Sequence, residues 1–124
     1  MAVNWLGAPK KLPREQSRVL NNAVRHNEPL AISAVTLLEV AVQYGDGGRI
    51  RSTVPLDQLL VWFDSSPFET IPFDTEIAAE VAAIGGSLRD PADRAIVATA
   101  RVHRLKLITS HQRIIDSGLV PVIQ

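Results

Sequence analysis

The chain contains no cysteine. Disulfides and thiolate metal sites are therefore excluded, and a reducing compartment suits it. No apolar run approaches the ~20 residues that a membrane span needs. The opening MAVNWLGAPKK places its positive charges after the apolar part, the reverse of a signal peptide. These absences lead to the expectation of a soluble, cytoplasmic protein without a membrane partner. Several catalytic signatures are missing as well: no P-loop, no dinucleotide fingerprint, no serine-centred nucleophile elbow and no His-x-x-x-His pair. Gly47-Gly48 and Gly85-Gly86 read as turns rather than phosphate cradles. Net charge is also lacking, with 13 Lys plus Arg against 13 Asp plus Glu, which argues against a simple polycationic nucleic-acid binder.

What is present is a 124-residue chain, 46% hydrophobic and 21% charged, which is the composition of one globular domain spanning residues 1–124. Its charges are sorted along the sequence. Residues 53–80 carry six acids and no Lys or Arg, whereas residues 89–113 carry six bases against Asp90 and Asp93. Residues 9–27 add Lys10, Lys11, Arg14, Arg18 and Arg25 against Glu15. Two basic segments meeting in space would attract phosphates. The plainer alternative is a pair of solvated helix faces.

Hydrophobic periodicity and capping signals give an order of elements. Pro13 opens a helix to about Asn27, and Leu30 to Ile32 is a short buried strand. Ser33 caps a helix over Ala34 to Tyr44, and Pro55 to Ser65 forms another. A strand lies near Glu69 to Ile71, Asp74 caps a helix to Ile84, and Asp90 caps one reaching Arg104. A strand over Leu105 to Thr109, a helical turn over Gln112 to Asp116 and a strand over Val120 to Ile123 complete the chain. Short apolar strands alternating with helices predict an α/β fold, a parallel sheet with helices on both faces. Function in such folds gathers at the carboxyl ends of strands. Ser33 to Glu39, Asp90 to Asp93, and Thr109-Ser110-His111 all fall there.

Glu39 is the only charged residue between Leu30 and Gly45. A carboxylate in that setting needs a cation or hydrogen-bond donors, unless Thr36, Glu39 and Gln43 form one wet edge of the helix. In LRDPADRAIVATA, Asp90, Pro91 and Asp93 are close to a capping box, and acids suit a helix N-terminus. Asp93 also stands one turn before Val97 on a helix apolar enough to be packed inside. Carboxylates converging on a dry cleft bind a hard cation such as Mg²⁺ or Mn²⁺, which activates water next to a phosphoryl group. A nucleophilic Asp-x-Asp of metal phosphatases is absent.

The segments AISAVTLLEVAVQYGDGGRI, LRDPADRAIVATARVHRLKLITSHQRI and VPVI, with APKKLP before a first helix, resemble a PIN domain of the VapC toxin type. The resemblance spans nearly the whole chain. It implies a three-layer α/β/α sandwich with a central parallel sheet and a metal-dependent endoribonuclease site. By that likeness Glu39 and Asp93 match family acids, Asp90 is a neighbouring acid and Thr109 a supporting hydroxyl. Mg²⁺ or Mn²⁺ is the implied cofactor. RNA, a cognate antitoxin protein and a second copy of the chain, as a homodimer, are the implied partners. Trp62, Phe63 and Phe68 offer aromatic surface for such an interface, although core packing is the commoner fate of aromatics.

Two features depart from the family pattern. The usual first strand, ending in Asp-Thr-His and carrying the first metal ligand, is absent, so the N-terminal strand is expected to be missing and metal binding impaired. After the late strand the usual acid is replaced by His111, either a ligand for Mn²⁺ or Zn²⁺ or, preferably, a helix-start residue facing water. The competing expectation is thus a degenerate PIN domain that binds RNA or an antitoxin without cutting.

Overall fold

The structure is a computed structural model that describes Arg25 and residues 30–45, 56–65, 68–109 and 112–123. The expected helix over Pro13 to Asn27, the expected absence of an N-terminal strand, and His111 fall outside the described residues, apart from helical Arg25.

The first described strand, β1 (Leu30–Ser33), leads directly into helix α1 (Ala34–Gly45). Ser33 makes the junction, because its Oγ accepts the Val35 amide at 3.1 Å and satisfies one free donor of the new helix. Helix α2 (Leu56–Phe63) and strand β2 (Phe68–Ile71) follow. β2 returns parallel to β1, with Leu30 opposite Phe68 and Ser33 opposite Ile71. Parallel pairing demands the long crossover that α1 and α2 occupy.

Helix α3 (Thr75–Ile84) begins at Asp74, whose Oδ1 accepts the Ile77 amide at 2.9 Å. It turns Ile77, Val81 and Ile84, spaced by four and three, toward the core. Gly85 ends it at φ 57°, a left-handed conformation that glycine adopts without steric penalty. A 3-10 turn (Gly85–Ser87) then leads to α4 (Pro91–Val102). After α4 come β3 (Leu107–Ile108), α5 (Gln112–Ser117) and β4 (Val122–Ile123), with β3 and β4 parallel.

Helix α4 is the axis of the fold. Asp93 and every residue from Ala95 to Ala100 are buried, as expected of a helix apolar on all sides. It packs against α3 on one side and α1 on another. Ile96, Val97 and Ala98 join Ile77, Leu107 and Ile114 in the main core, while Ile32, Val40 and Phe63 form a smaller one.

The expected α/β class with parallel strands is therefore present, but several details differ. Among the described residues the strands form two two-stranded sheets, β1–β2 and β3–β4, rather than one. Helix α4 stops at Val102 instead of Arg104. The Leu105 amide reaches back to the Ala100 carbonyl at 2.8 Å, and Arg104 takes φ 56° between them. The strands expected over Leu105 to Thr109 and Val120 to Ile123 shrink to two residues each. Phe63 is buried and meets the half-buried Phe68 edge-to-face at 5.5 Å, so these two rings pack in the core rather than on an interface. The side chain of Trp62 is outside what is described.

Candidate functional site

Asp90 does what its sequence setting predicts. Its Oδ1 accepts the amides of Ala92 at 2.8 Å and Asp93 at 3.3 Å, with Pro91 in the first turn. This holds the backbone of Asp93 at the helix N-terminus, where the dipole favours an anion. The Arg94 Nε also donates to the Leu88 carbonyl, tying the preceding loop to the same turn.

Asp93 is the buried acid of this turn, with 1% of its surface exposed. Its Oδ2 lies 3.4 Å from Nη2 of Arg113, which reaches it from α5. A carboxylate removed from water requires such a cation, because desolvation of an isolated charge is prohibitive. Sequence reasoning counted Arg113 only as one base among six. Its position four residues after Thr109, past the end of β3, was the available signal.

Glu39 is half-buried on α1, the helix that packs against α4. The wet-edge alternative for that helix fails at Thr36, which is completely buried one turn before Glu39. Helix α1 buries Thr36 beside Val40 and exposes Leu38 and Val42. Ser33 and Thr109 are also buried hydroxyl residues, at the carboxyl ends of β1 and β3 respectively. Ser33, Thr36, Asp93 and Thr109 are the buried polar groups of these segments, together with Thr99 within α4.

For a metal ion the chemistry of these donors fits in part. Carboxylate and hydroxyl oxygens suit a hard divalent cation, whereas the Arg113 guanidinium at Asp93 Oδ2 opposes one. Among the described residues, however, no three His, Asp or Glu side chains come close enough to share one ion. The arrangement joins Asp93 to Asp90 through the cap and to Arg113 through charge.

Comparison with known proteins agrees with this fold. The family profile of the PIN domain matches residues 1–116. Ribonuclease VapC22 of Mycobacterium tuberculosis is 30% identical over 113 residues, which is 89% of this chain and 81% of that protein. A toxin–antitoxin complex from Klebsiella pneumoniae superimposes with a TM-score of 0.62 at 26% identity, covering 86% of this chain and 83% of the other. VapBC2 from Rickettsia felis, crystallised on a DNA fragment from its promoter, gives 0.68 at 17% identity over 98% of this chain and 97% of its own, a likeness of fold. The chain belongs to the PIN domain family, within its VapC-type toxin ribonucleases.

Proposed function

We propose that this chain is a single-domain, metal-dependent endoribonuclease that acts in the cytoplasm as the toxin of a toxin–antitoxin pair. The observation that carries the reading is Asp93, a carboxylate buried at a helix N-terminus. Asp93 and Glu39 would hold Mg²⁺ or Mn²⁺, with Asp90 as the nearest further acid and His111 as a further candidate ligand. When bound, such an ion lowers the pKa of a coordinated water and stabilises charge on a phosphoryl oxygen.

The chain's own residues perform the remaining tasks. Asp90 fixes the backbone that carries Asp93. Thr109, buried at the end of β3, supports the site with its hydroxyl. Arg113 balances the charge of Asp93. The products are the two ends of a hydrolysed RNA phosphodiester.

A cognate antitoxin protein and a second copy of the chain are the proposed partners. Exposed Leu38, Val42, Leu60 and Val61 on α1 and α2 support a protein-binding face, since exposed apolar patches commonly mark interfaces. The Klebsiella pneumoniae relative is itself a toxin–antitoxin complex, which supports the same partner class.

Purified chain incubated with structured RNA and Mn²⁺, beside an EDTA control, tests the activity. Glu39→Ala and Asp93→Ala should each lower cleavage by about 100-fold or more, the scale of a positioned catalytic or charge-stabilising group. Both variants should also lose toxicity when expressed in cells. Retained cleavage in Asp93→Ala overturns the assignment. A PIN domain that binds without cutting is the second reading, favoured by Arg113 standing at the Asp93 oxygen. Binding of RNA or antitoxin with no Mn²⁺-dependent cleavage would select it.

A further inference from the structure

A cleft of about 390 Å³ opens between the turn that precedes α4 and the helix α5. Its lining includes Gly86 and Arg89 on one wall and Arg113, Asp116 and Ser117 on the other. Arg89 and Arg113 are both exposed. Arg113 has two roles in this geometry, since the side chain that lines the cleft also touches the buried carboxylate. Arg113 is thus the link between this cleft and the buried Asp93.

Two arginines and one carboxylate line this cleft. That carboxylate, Asp116, accepts a 2.7 Å hydrogen bond from Gln112 Nε2 on its own helix, and Ser117 Oγ is directed at the Ile114 carbonyl at 2.6 Å. Gly86 adds open space, because a Cβ there would meet nothing within 4 Å. Arginines from two walls of one cleft suit a phosphate, whose oxygens a guanidinium contacts with paired donors.

A larger cleft of about 810 Å³ at the other end of α4 has bases too, but there Arg101 is committed to Glu80 at 2.9 Å and to the Leu119 carbonyl at 2.6 Å. That end also lies about 18 Å from the Asp93 end, the length of a twelve-residue helix. Only the smaller cleft combines arginines with the candidate chemistry.

We infer that the Arg89–Arg113 cleft is the phosphate-binding subsite that seats the RNA backbone next to the cleaved linkage. This rests on the proposed ribonuclease reading and adds where the substrate lies. Phosphate contacts position a nucleic acid without reading its bases. The subsite therefore contributes affinity and register in the same way for any RNA sequence.

The test measures binding apart from cutting. Anisotropy of a fluorescein-labelled single-stranded RNA 20-mer is followed with the full chain in EDTA, over a series of salt concentrations. Arg89→Ala and Arg113→Ala should each weaken binding several-fold and flatten the log–log salt slope by about 0.7, the share of one phosphate contact on a single strand. Arg89→Lys and Arg113→Lys should recover the slope, because they restore the charge. The double substitution Arg104→Ala with Lys106→Ala, at the far cleft, should leave both quantities unchanged.

Arg89 variants keep the inference testable even if Arg113→Ala disturbs the packing of Asp93. Unchanged binding and slope in both alanine variants would overturn the subsite, even if the wild type cuts RNA. Arginine-dependent binding without Mn²⁺-dependent cleavage would uphold the subsite and remove the nuclease reading. A wild type that neither binds nor cuts removes both. Duplex DNA binding as tightly as RNA, with the same arginine dependence, would overturn the assignment to RNA.

Discussion

Arg113 Nη2 lies 3.4 Å from Asp93 Oδ2, and the two partners could hardly differ more in environment: the arginine side chain is 70% exposed and the aspartate 2%. The arginine end of the pair stays in water and can swing away, whereas the buried carboxylate needs a cation near it. Arg113 can therefore give way to a stronger cation. The same arginine opposes a divalent ion at Asp93 through like-charge repulsion. Arg113→Ala is expected to tighten Mn²⁺ binding by roughly three- to tenfold, the scale of a screened like-charge contact worth about 1 kcal/mol. Titration calorimetry with Mn²⁺ on both proteins measures it. Weaker binding in the variant would mean that Arg113 orients Asp93 rather than competing for it.

Asp90 and Asp93 are three residues apart but separable by experiment. Asp90 Oδ1 is engaged by two backbone amides, and an asparagine oxygen can accept the same bonds. Asp90→Asn should preserve stability, whereas Asp90→Ala should lose about 1 kcal/mol by urea denaturation, the usual consequence of removing an N-cap. Asp90→Asn should also lower RNA cleavage by no more than about tenfold, the lower end for a group that acts behind a ligand. If Asp90→Asn abolishes cleavage at full stability, then Asp90 is itself a ligand and not a positioning group.

The two aspartates also illustrate how much was legible in advance. Local chemistry was readable: the Ser33, Asp74 and Asp90 caps and the Gly85 stop stand where the spacing of polar and apolar residues put them. The burial of Asp93 was readable from the apolar helix that follows it. Contacts between distant segments were not readable. Only the place of Arg113 just past β3 hinted at Asp93, and the burial of Thr36 depends on which face of α1 meets its neighbours. Phe63 and Phe68 could not be assigned to core or surface until their rings were seen together. Resemblance to the family supplied the roles of Glu39 and Thr109, which composition and periodicity alone left open.

Helix α4 ended two residues before its expected stop because the usual glycine signal is missing. The Arg104 amide bonds to the Arg101 carbonyl and the Leu105 amide to that of Ala100, the paired closing bonds of a Schellman motif. Arg104 occupies the left-handed position at φ 56°. A non-glycine residue there costs about 1 kcal/mol, and glycine returns part of that gain through the greater freedom of its unfolded chain. Arg104→Gly is expected to stabilise the protein by roughly 0.5 kcal/mol in urea denaturation. A destabilised variant would show that the Arg104 side chain makes a contribution larger than its backbone strain.

The outward apolar face yields the last expectation. Leu38 is 62% exposed and Val61 71% exposed, although each belongs to a helix whose other side is packed. Between α1 and α2 runs a groove of about 360 Å³ lined by Leu37, Leu60, Val61 and Phe63. Neither exposed side chain supports the core, so Leu38→Glu and Val61→Glu should each change stability by less than about 0.5 kcal/mol. An interface depends on such residues differently, because a few buried apolar anchors carry most of its binding energy and a charge there must be desolvated. The double variant should therefore fold normally, yet lose co-purification with the proposed antitoxin partner. Size-exclusion chromatography with light scattering reads both the antitoxin complex and any homodimer. Loss of the homodimer with an intact antitoxin complex would assign this face to the second copy of the chain. Full retention of both assemblies at unchanged stability would remove the face from either interface.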